Sequence, residues 1–231
     1  MPKATPGRQT EATQLTELLR EEIVSGAVQP GQKLKLVPLA KRFDVSRGPL
    51  REAASRLAAE GLVRIEDQRG FRVTPVSRED LLDVTQTRKR IETLALRDAI
   101  AHGDLTWEGQ VMATCHVLDR VTPHDDSSGA LTAFSAAHQA FHDALVSACP
   151  SAYLLGYRDN LYALTERYRT LAAEAYIRRR DSRDITGEHQ AIATAAVERD
   201  ADTACALLEE HLDATLATLL DAYPETFGEP P

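Results

Sequence analysis

The chain contains 231 residues, of which 43% are hydrophobic and 5% aromatic, and its formal net charge at pH 7 is -8. This length and apolar content suit one large domain or two small ones and exclude a disordered chain. No segment approaches the roughly 18 consecutive apolar residues of a membrane-spanning helix. Residues 1–6 lack the apolar core of a secretion signal. The chain has three cysteines and no Cys-x-x-Cys pair, which argues against disulfides. We therefore expect a cytoplasmic protein without a membrane partner.

Two helices are predicted near the N-terminus. A flexible tail over residues 1–12 precedes the first helix, which stops before the turn residues 29–31. The second helix is predicted over residues 37–43, with Leu39 and Ala40 facing inward. The first helix has an apolar stripe at helical spacing, formed by Leu15, Leu18, Leu19, Ile23 and Val24.

A third helix and a hairpin complete the first unit. Ser46 suits the N-cap of this helix, Pro49 fits its first turn, and Gly61 ends it. Residues 62–65 and 71–74 then alternate between apolar and polar side chains around a turn. Three helices followed by a two-stranded wing predict a winged helix-turn-helix over residues 13–76. The third helix is expected to bury Leu50, Ala53, Ala54, Leu57 and Ala58.

From Ser77 onward the pattern is helical and shows no strand-like alternation. It predicts an all-α antiparallel six-helix bundle over residues 77–222, followed by a tail over residues 223–231. The fold class is therefore mainly α, with two domains. The six helices are expected near residues 78–102, 105–121, 130–148, 151–178, 182–199 and 201–222.

The charge follows the same division. Residues 1–78 contain 14 lysines and arginines against 9 aspartates and glutamates, a net charge of +5. Residues 79–231 contain 13 against 26, a net charge of -13. The average of -8 therefore hides a basic first unit that suits a polyanionic partner.

The third helix carries arginines where a DNA-reading helix needs them. Arg47 and Arg51 lie four residues apart and share one face. A recognition helix inserts its N-terminal end into the major groove, where an arginine binds guanine through two hydrogen bonds. The alternative is that both arginines are ordinary solvated charges. The exposed backbone amides at the start of the third helix and the residues of the wing tip can contact the DNA backbone. The candidate contacts to double-stranded DNA are therefore Ser46, Arg47, Gly48, Arg51, Arg69 and Gly70.

The same residues carry a family resemblance. The runs Val45-Ser46-Arg47-x-Pro49-x-Arg51-Glu52-Ala53 and Glu60-Gly61-Leu62-Val63, with Pro30-Gly31 before them, closely resemble the GntR family of bacterial transcriptional regulators. By that resemblance the six candidates fall on DNA-contact positions. One departure is the apolar pair Leu36-Val37, where many members carry a charged residue.

Four histidines form a pattern in the helical unit. His138 and His142 are four residues apart on one predicted helix, so their imidazoles project to the same side. His189 and His211 lie on the last two helices, and antiparallel packing would bring them together. A histidine cluster inside a bundle chelates a divalent cation. The alternative is that each is a capped or half-buried helical residue.

The second unit is similar to the FadR-like (FCD) effector domains, in Arg88-x-x-Ile91-Glu92, Phe141-His142 and Glu188-His189. Metal-binding members place an Asp four residues before the first His, and this chain has His138 in that position. The resemblance implies a divalent transition metal on four imidazoles, which shifts the preference toward zinc, with nickel as the next choice. The ligand set is then His138, His142, His189 and His211.

The resemblance also implies an effector site. Arg88 stands at the position of an effector-binding arginine, and a guanidinium fork suits a carboxylate. The alternative for Arg88 is an exposed ion pair with Glu92, one helical turn away. Arg169, on the fourth helix of the bundle, is a weaker candidate for the same pocket.

These patterns predict a transcriptional regulator that is not an enzyme. It is expected to be a homodimeric repressor that binds operator DNA and senses a small carboxylate at a metal site. One alternative makes the metal ion itself the signal. The other, a metal-dependent enzyme with an accessory winged domain, is less favoured because the sequence contains no nucleophile motif or metallohydrolase motif.

Overall fold

The computed structural model describes residues 10–67, 69–121, 128–179 and 183–227, with the side chains of residues 128, 131, 166, 167, 169, 170 and 172–179 outside the description. The chain divides into two compact units between Val76 and Ser77. Among the described residues, no helix is both long and apolar enough to cross a bilayer.

The first unit confirms the predicted winged helix-turn-helix fold. It contains three helices and an antiparallel sheet in the order β1-β3-β2. Val63 pairs with Val73 and Glu66 with Gly70, which sets the register of the wing. The elements are α1 (Glu11–Val24), β1 (Lys33–Leu34), α2 (Leu36–Phe43), α3 (Arg47–Ala59), β2 (Val63–Glu66) and β3 (Gly70–Val73).

The strand β1 is an addition to the predicted hairpin. Lys33 pairs with Arg72 and Leu34 with Phe71, so β1 lies along the edge of β3. A strand of two residues gives no alternation that a sequence pattern can detect. Because β1 pairs with β3, Lys33 lies beside the wing, and Lys35 follows two residues further along the chain.

The core of the first unit lies between α1 and α3, where Leu19, Leu50 and Leu57 are fully buried. Some predicted core positions are wrong. Leu18 is 44% exposed, and α2 has no buried residue. Leu39, Ala40 and Ala58 are only partly buried, since α2 and the far end of α3 lie at the rim of a small core.

The turn before α3 differs in detail from the prediction. Asp44 ends α2 in the left-handed conformation with φ 54°, which aspartate tolerates better than most residues. Ser46 occupies the N-cap position of α3 as predicted, but its hydroxyl makes no capping hydrogen bond. The Ser46 side chain is therefore exposed and available to another partner.

The second unit is helical throughout its described part, which confirms the predicted fold class. All six predicted helices are present: the first, second and sixth have the predicted bounds, and the ends of the other three differ from the predicted ones by one to three residues. The six helices are α4 (Arg78–His102), α5 (Leu105–Val121), α6 (Ser128–Val146), α7 (Ala152–Arg179), α8 (Ile185–Val197) and α9 (Ala201–Ala222), and α10 (Pro224–Phe227) follows them.

The helix α4 is central to this unit and packs against α6, α7 and α9. Leu96 on α4, Phe141 on α6 and Ile192 on α8 are fully buried in one core. The Trp107 indole N–H donates to the Ala144 carbonyl at 3.0 Å and joins α5 to α6. This packing turns the inner faces of α4, α6, α8 and α9 toward a shared interior.

The predicted tails are too long at both ends. Thr10 caps α1 by accepting from the Thr13 amide at 3.2 Å, so the helix already begins at Glu11. At the other end, Phe227 is fully buried, and its carbonyl accepts from the Arg78 guanidinium at 2.8 Å. Residues 224–227 are therefore part of the helical unit, because Phe227 buries its ring at 5.9 Å from that of Tyr168.

Candidate metal centre and DNA-contact surface

An open groove in the first unit collects most of the predicted DNA contacts. It runs between the N-terminal turn of α3 and the wing, and its volume is about 520 Å³. Ser46 lies next to the groove in sequence but is not among its lining residues. The lining is Lys33, Leu34, Lys35, Leu36, Val37, Arg47, Gly48, Arg51, Arg69 and Gly70.

The arginines of this groove differ from four other arginines of the unit. Arg20, Arg42, Arg56 and Arg72 each form an ion pair with a glutamate. The groove residues Arg47, Arg51 and Arg69 are exposed and form no ion pair among the described residues. Unpaired cations on one open surface suit phosphate and base contacts, because no internal salt bridge must break first.

The groove also contains two cations that the sequence motifs do not indicate. Lys33 is the first residue of the edge strand β1, Lys35 directly follows that strand, and both line the groove together with Arg69. They line the same groove as the exposed Val37, which belongs to the apolar pair Leu36-Val37, a departure from many family members. Their position depends on the pairing of β1 with β3, so a helical or hairpin pattern does not reveal it.

The four predicted histidine ligands come together in the interior of the second unit. His138 and His142 project from α6, His189 from α8 and His211 from α9, and all four are buried. Their ring centroids are 4.4 to 5.9 Å apart. One nitrogen atom from each ring can be chosen so that all four atoms lie within 4.8 Å of one another.

The protonation of this cluster suits ligation. Burial, followed by the neighbouring His211, holds the pKa of both His142 and His189 well below its ordinary value. Burial also lowers the pKa of His211, although Glu188 opposes this shift. These three rings are therefore neutral near pH 7 and keep the lone pair that a metal ion requires.

The hydrogen-bonding of the cluster is incomplete without another partner. Nε2 of His142 and Nε2 of His189 are buried and have no hydrogen-bond partner among the described residues. A tetrahedral zinc ion with bonds of about 2.1 Å separates its ligand nitrogens by about 3.4 Å, so side-chain shifts of about 1 Å would close this set. The four imidazoles thus fit a divalent transition metal in number, donor type and position.

A hydrogen bond to a partly buried carboxylate orients one of these rings. Nδ1 of His211 is 2.7 Å from the Glu188 carboxylate, which leaves Nε2 of His211 for the cluster. Arg183 donates to both oxygens of Glu188 at 2.7 and 2.6 Å. Burial raises the pKa of Glu188, but the hydrogen bonds from Arg183 and His211 outweigh it and lower the pKa to about 2. The sequence shows Glu188 beside His189, yet this carboxylate supports His211, and nothing in the sequence pattern indicates Arg183.

Arg88 and three of the histidines line the same cavity. Its volume is about 50 Å³, which leaves room for a few water-sized groups. Arg88 is 7% exposed and forms an ion pair with Glu92, so the pairing proposed as its alternative exists but is buried. The Arg169 side chain lies outside the described residues. The cavity is lined by Leu81, Thr85, Arg88, His138, His142, Thr165, Tyr168, His211, Leu212, Thr215, Leu216 and Leu219.

Two family descriptions match the chain, one for each unit. Residues 11–73 match bacterial regulatory proteins of the gntR family. Residues 83–214 match the FCD domain. The second match covers the four histidines and Arg88, and the first covers the groove between α3 and the wing.

Similar proteins of known name are transcriptional regulators. The HTH-type transcriptional repressor GlaR of Escherichia coli strain K12 is 37% identical over 84% of this chain and 89% of its own length. The HTH-type transcriptional regulator BphR of Paraburkholderia xenovorans strain LB400 is 37% identical over 87% of this chain and 82% of its own length.

Solved structures share the fold. Escherichia coli McbR/YncC superposes with a TM-score of 0.78 at 18% identity, over 94% of this chain and all of that chain. A GntR transcriptional regulator from Rhodococcus sp. RHA1 gives a TM-score of 0.74 at 24% identity, over 93% of this chain and all of that chain.

Proposed function

The chain belongs to the GntR family of bacterial regulatory proteins and contains an FCD domain, and from this premise we propose a repressor that senses a small carboxylate beside a metal ion. DNA-binding transcriptional regulation follows from the family and from relatives such as GlaR. One observation supports the sensing function most strongly. Arg88 and three buried histidines line one small cavity, so an anion there would meet a guanidinium and the metal site together.

The proposed metal ligands are His138, His142, His189 and His211. Four neutral imidazoles favour zinc, with nickel as the second choice, over oxygen-preferring ions such as magnesium. When bound, the ion supplies a concentrated positive charge that attracts a carboxylate oxygen. The protein residues supply orientation and charge: Glu188 fixes the His211 ring, and Arg88 lines the cavity.

The proposed DNA contacts lie on the groove of the winged unit. Arg47 and Arg51 read bases in the major groove, while the wing-tip residues Arg69 and Gly70 contact the phosphate backbone. We propose a homodimer in which two such units bind the half-sites of a pseudo-palindromic operator. The effector releases the operator only if it binds one arrangement of the protein more tightly than another.

A second candidate is a regulator that responds to the metal ion itself. Four imidazoles fill a tetrahedral ion completely, so a carboxylate binds the ion only if the coordination expands to five ligands. The small volume of the cavity also favours this alternative. The enzyme alternative receives no support, because the named relatives are transcriptional regulators.

Metal analysis of protein purified without a metal-affinity column tests the site. We expect one equivalent of zinc or nickel per chain in the parent protein and in His116→Ala, whose ring is exposed, but not in His142→Ala. A parent protein without stoichiometric transition metal would remove the metal from the proposal.

A thermal-shift screen of small carboxylates tests the effector site. A ligand present at about 100 times its dissociation constant adds about 2.7 kcal/mol of stability. Arg88→Ala should lose the shift, whereas Arg90→Ala, an exposed arginine on the same helix, should keep it. If carboxylates shift neither protein but metal binding weakens DNA binding, the metal-responsive alternative holds.

A further inference from the structure

Three charged side chains are buried together beside the cavity of the helical unit. Arg88 and Glu92 lie one turn apart on α4, and Arg158 lies on the facing helix α7. They are 7%, 1% and 2% exposed, respectively. The Arg88 and Arg158 Cζ atoms are 5.4 and 4.8 Å from the ring centroid of Tyr162. The sum of those two distances places the two guanidiniums within about 10 Å of each other. Of the three buried side chains, Glu92 alone carries a carboxylate.

The two arginines share this carboxylate unequally. Arg88 donates from Nε to Oε1 of Glu92 at 2.7 Å, and its Nη2 lies 2.6 Å from the same oxygen in an ion pair. Arg158 donates only through Nη1, to Asp143 and Asp159, whose side chains are 47% and 69% exposed. Nε and Nη2 of Arg158 are buried and have no hydrogen-bond partner among the described residues. Buried charged donors without partners are unfavourable, so a second arrangement that satisfies Arg158 has a driving force.

Glu92 is close enough to act on both guanidiniums. Burial lowers the pKa of Arg158, but Glu92 is the first of the neighbouring carboxylates that together raise it. A change of glutamate rotamer moves the carboxylate by several ångström without backbone motion. The side of Arg88 that lines the cavity would then be free of its internal partner.

We propose that Glu92 is an internal competitor for the anion site at Arg88, and that Arg158 receives the Glu92 carboxylate when an effector carboxylate displaces it. This inference rests on the proposed function, because it takes Arg88 as the effector contact. Binding then exchanges one buried ion pair for two, Arg88 with the effector and Arg158 with Glu92. The exchange adds a Glu92–Arg158 ion pair between α4 and α7 that forms only in the bound state, which gives the effector the differential affinity that a switch requires.

The test uses acetate, the smallest probe with the required chemistry, titrated into the full-length protein at constant ionic strength. Apparent dissociation constants come from the acetate dependence of the unfolding temperature. Glu92→Gln keeps the shape and removes the competing charge, so acetate should bind about tenfold more tightly. Arg158→Met should weaken acetate binding about tenfold in the parent protein and have no effect in the Glu92→Gln background.

Several results would overturn the exchange. Weaker acetate binding in Glu92→Gln would mean that Glu92 merely orients Arg88. An equal effect of Arg158→Met in both backgrounds would give Arg158 a purely structural role. In either case, the proposed carboxylate site would still stand if the parent protein binds acetate and Arg88→Ala does not. Absence of acetate binding in both the parent and Glu92→Gln would overturn the carboxylate site and the exchange together.

A measurement on the parent protein covers the case in which a variant does not fold. NMR signals of the arginine Nε–H groups report hydrogen bonding directly. Acetate should move the Arg158 signal downfield as Nε gains the Glu92 carboxylate. A shift of the Arg88 signal without one for Arg158 would contradict the exchange.

Discussion

Replacing Glu188 with glutamine should weaken zinc binding about tenfold. The variant keeps the size of the side chain and an oxygen that accepts from Nδ1 of His211, but it removes the negative charge. His211 is buried, with its side chain 4% exposed, so the lost charge acts through a poorly screened contact of 2.7 Å. A carboxylate that hydrogen-bonds a metal-ligating histidine increases the basicity of the ring and fixes its tautomer.

The magnitude follows from the same contacts. The lowering of the Glu188 pKa from 4.5 to about 2 corresponds to roughly 3 kcal/mol. Arg183 supplies two of the three hydrogen bonds to this carboxylate, and the third joins it to His211. A hydrogen bond to a charged group contributes about 1.5–3 kcal/mol and a neutral one about 0.5–1.5 kcal/mol, so the change to glutamine weakens the His211 contact by about 1 kcal/mol, or about fivefold in affinity. The carboxylate also attracts the metal ion directly, and glutamine loses this attraction. The total loss of zinc affinity then comes near the lower end of the ~10–100-fold range for residues that hydrogen-bond a metal ligand.

Competition with a chromophoric zinc chelator measures the affinity, and the chain provides a matched control. Glu210 directly precedes His211 just as Glu188 precedes His189, but Glu210 is exposed. Glu210→Gln should therefore bind zinc like the parent protein. Equal affinities for the parent and Glu188→Gln, with both folded, would refute the argument that Glu188 prepares His211 for the metal.

Three further predictions concern the groove and the C-terminal helix. Arg47→Ala should weaken operator binding by about 1–3 kcal/mol and nonspecific binding by less, in titrations against both DNAs; equal losses would make Arg47 a phosphate contact. Lys35→Gln should reduce the slope of log affinity against log salt by about 0.9 for each protomer bound, and an unchanged slope would place Lys35 off the DNA. Phe227→Ala should lower the free energy of unfolding by about 3–5 kcal/mol in urea, and a loss below about 1 kcal/mol would show that α10 is dispensable.

The periodic spacing of apolar residues predicted the helices well, because the apolar stripe of a helix lies on its buried face. The spacing of His138 and His142 likewise placed two rings on one face before any packing was known. The four-residue helix α10 and the two-residue strand β1 are too short to show a period, so Phe227 and Lys33 acquired their roles only in the folded chain.

The charged side chains near the cavity were harder to predict from the sequence than the helices, for a different reason. Arg183 reaches Glu188 and the His211 carbonyl because α8 packs against α9. Arg158 is buried although arginine is usually exposed, and its burial depends on α7 lying against α4. Such contacts join positions that are distant in sequence, and a single sequence carries no signal that pairs them.

The net charge of the helical unit therefore describes its surface and not its cavity. Residues 79–231 carry a net charge of -13, yet Arg88 and Arg158 are at most 7% exposed, and the Arg183 side chain is 12% exposed. Exposed charges are screened over about 8 Å at physiological ionic strength, whereas buried charges are screened much less. An anion inside the cavity is thus governed by the nearby guanidiniums rather than by the acidic surface. The same acidic surface repels DNA phosphate, so the proposed anion site and the attraction of DNA to the basic winged unit do not compete.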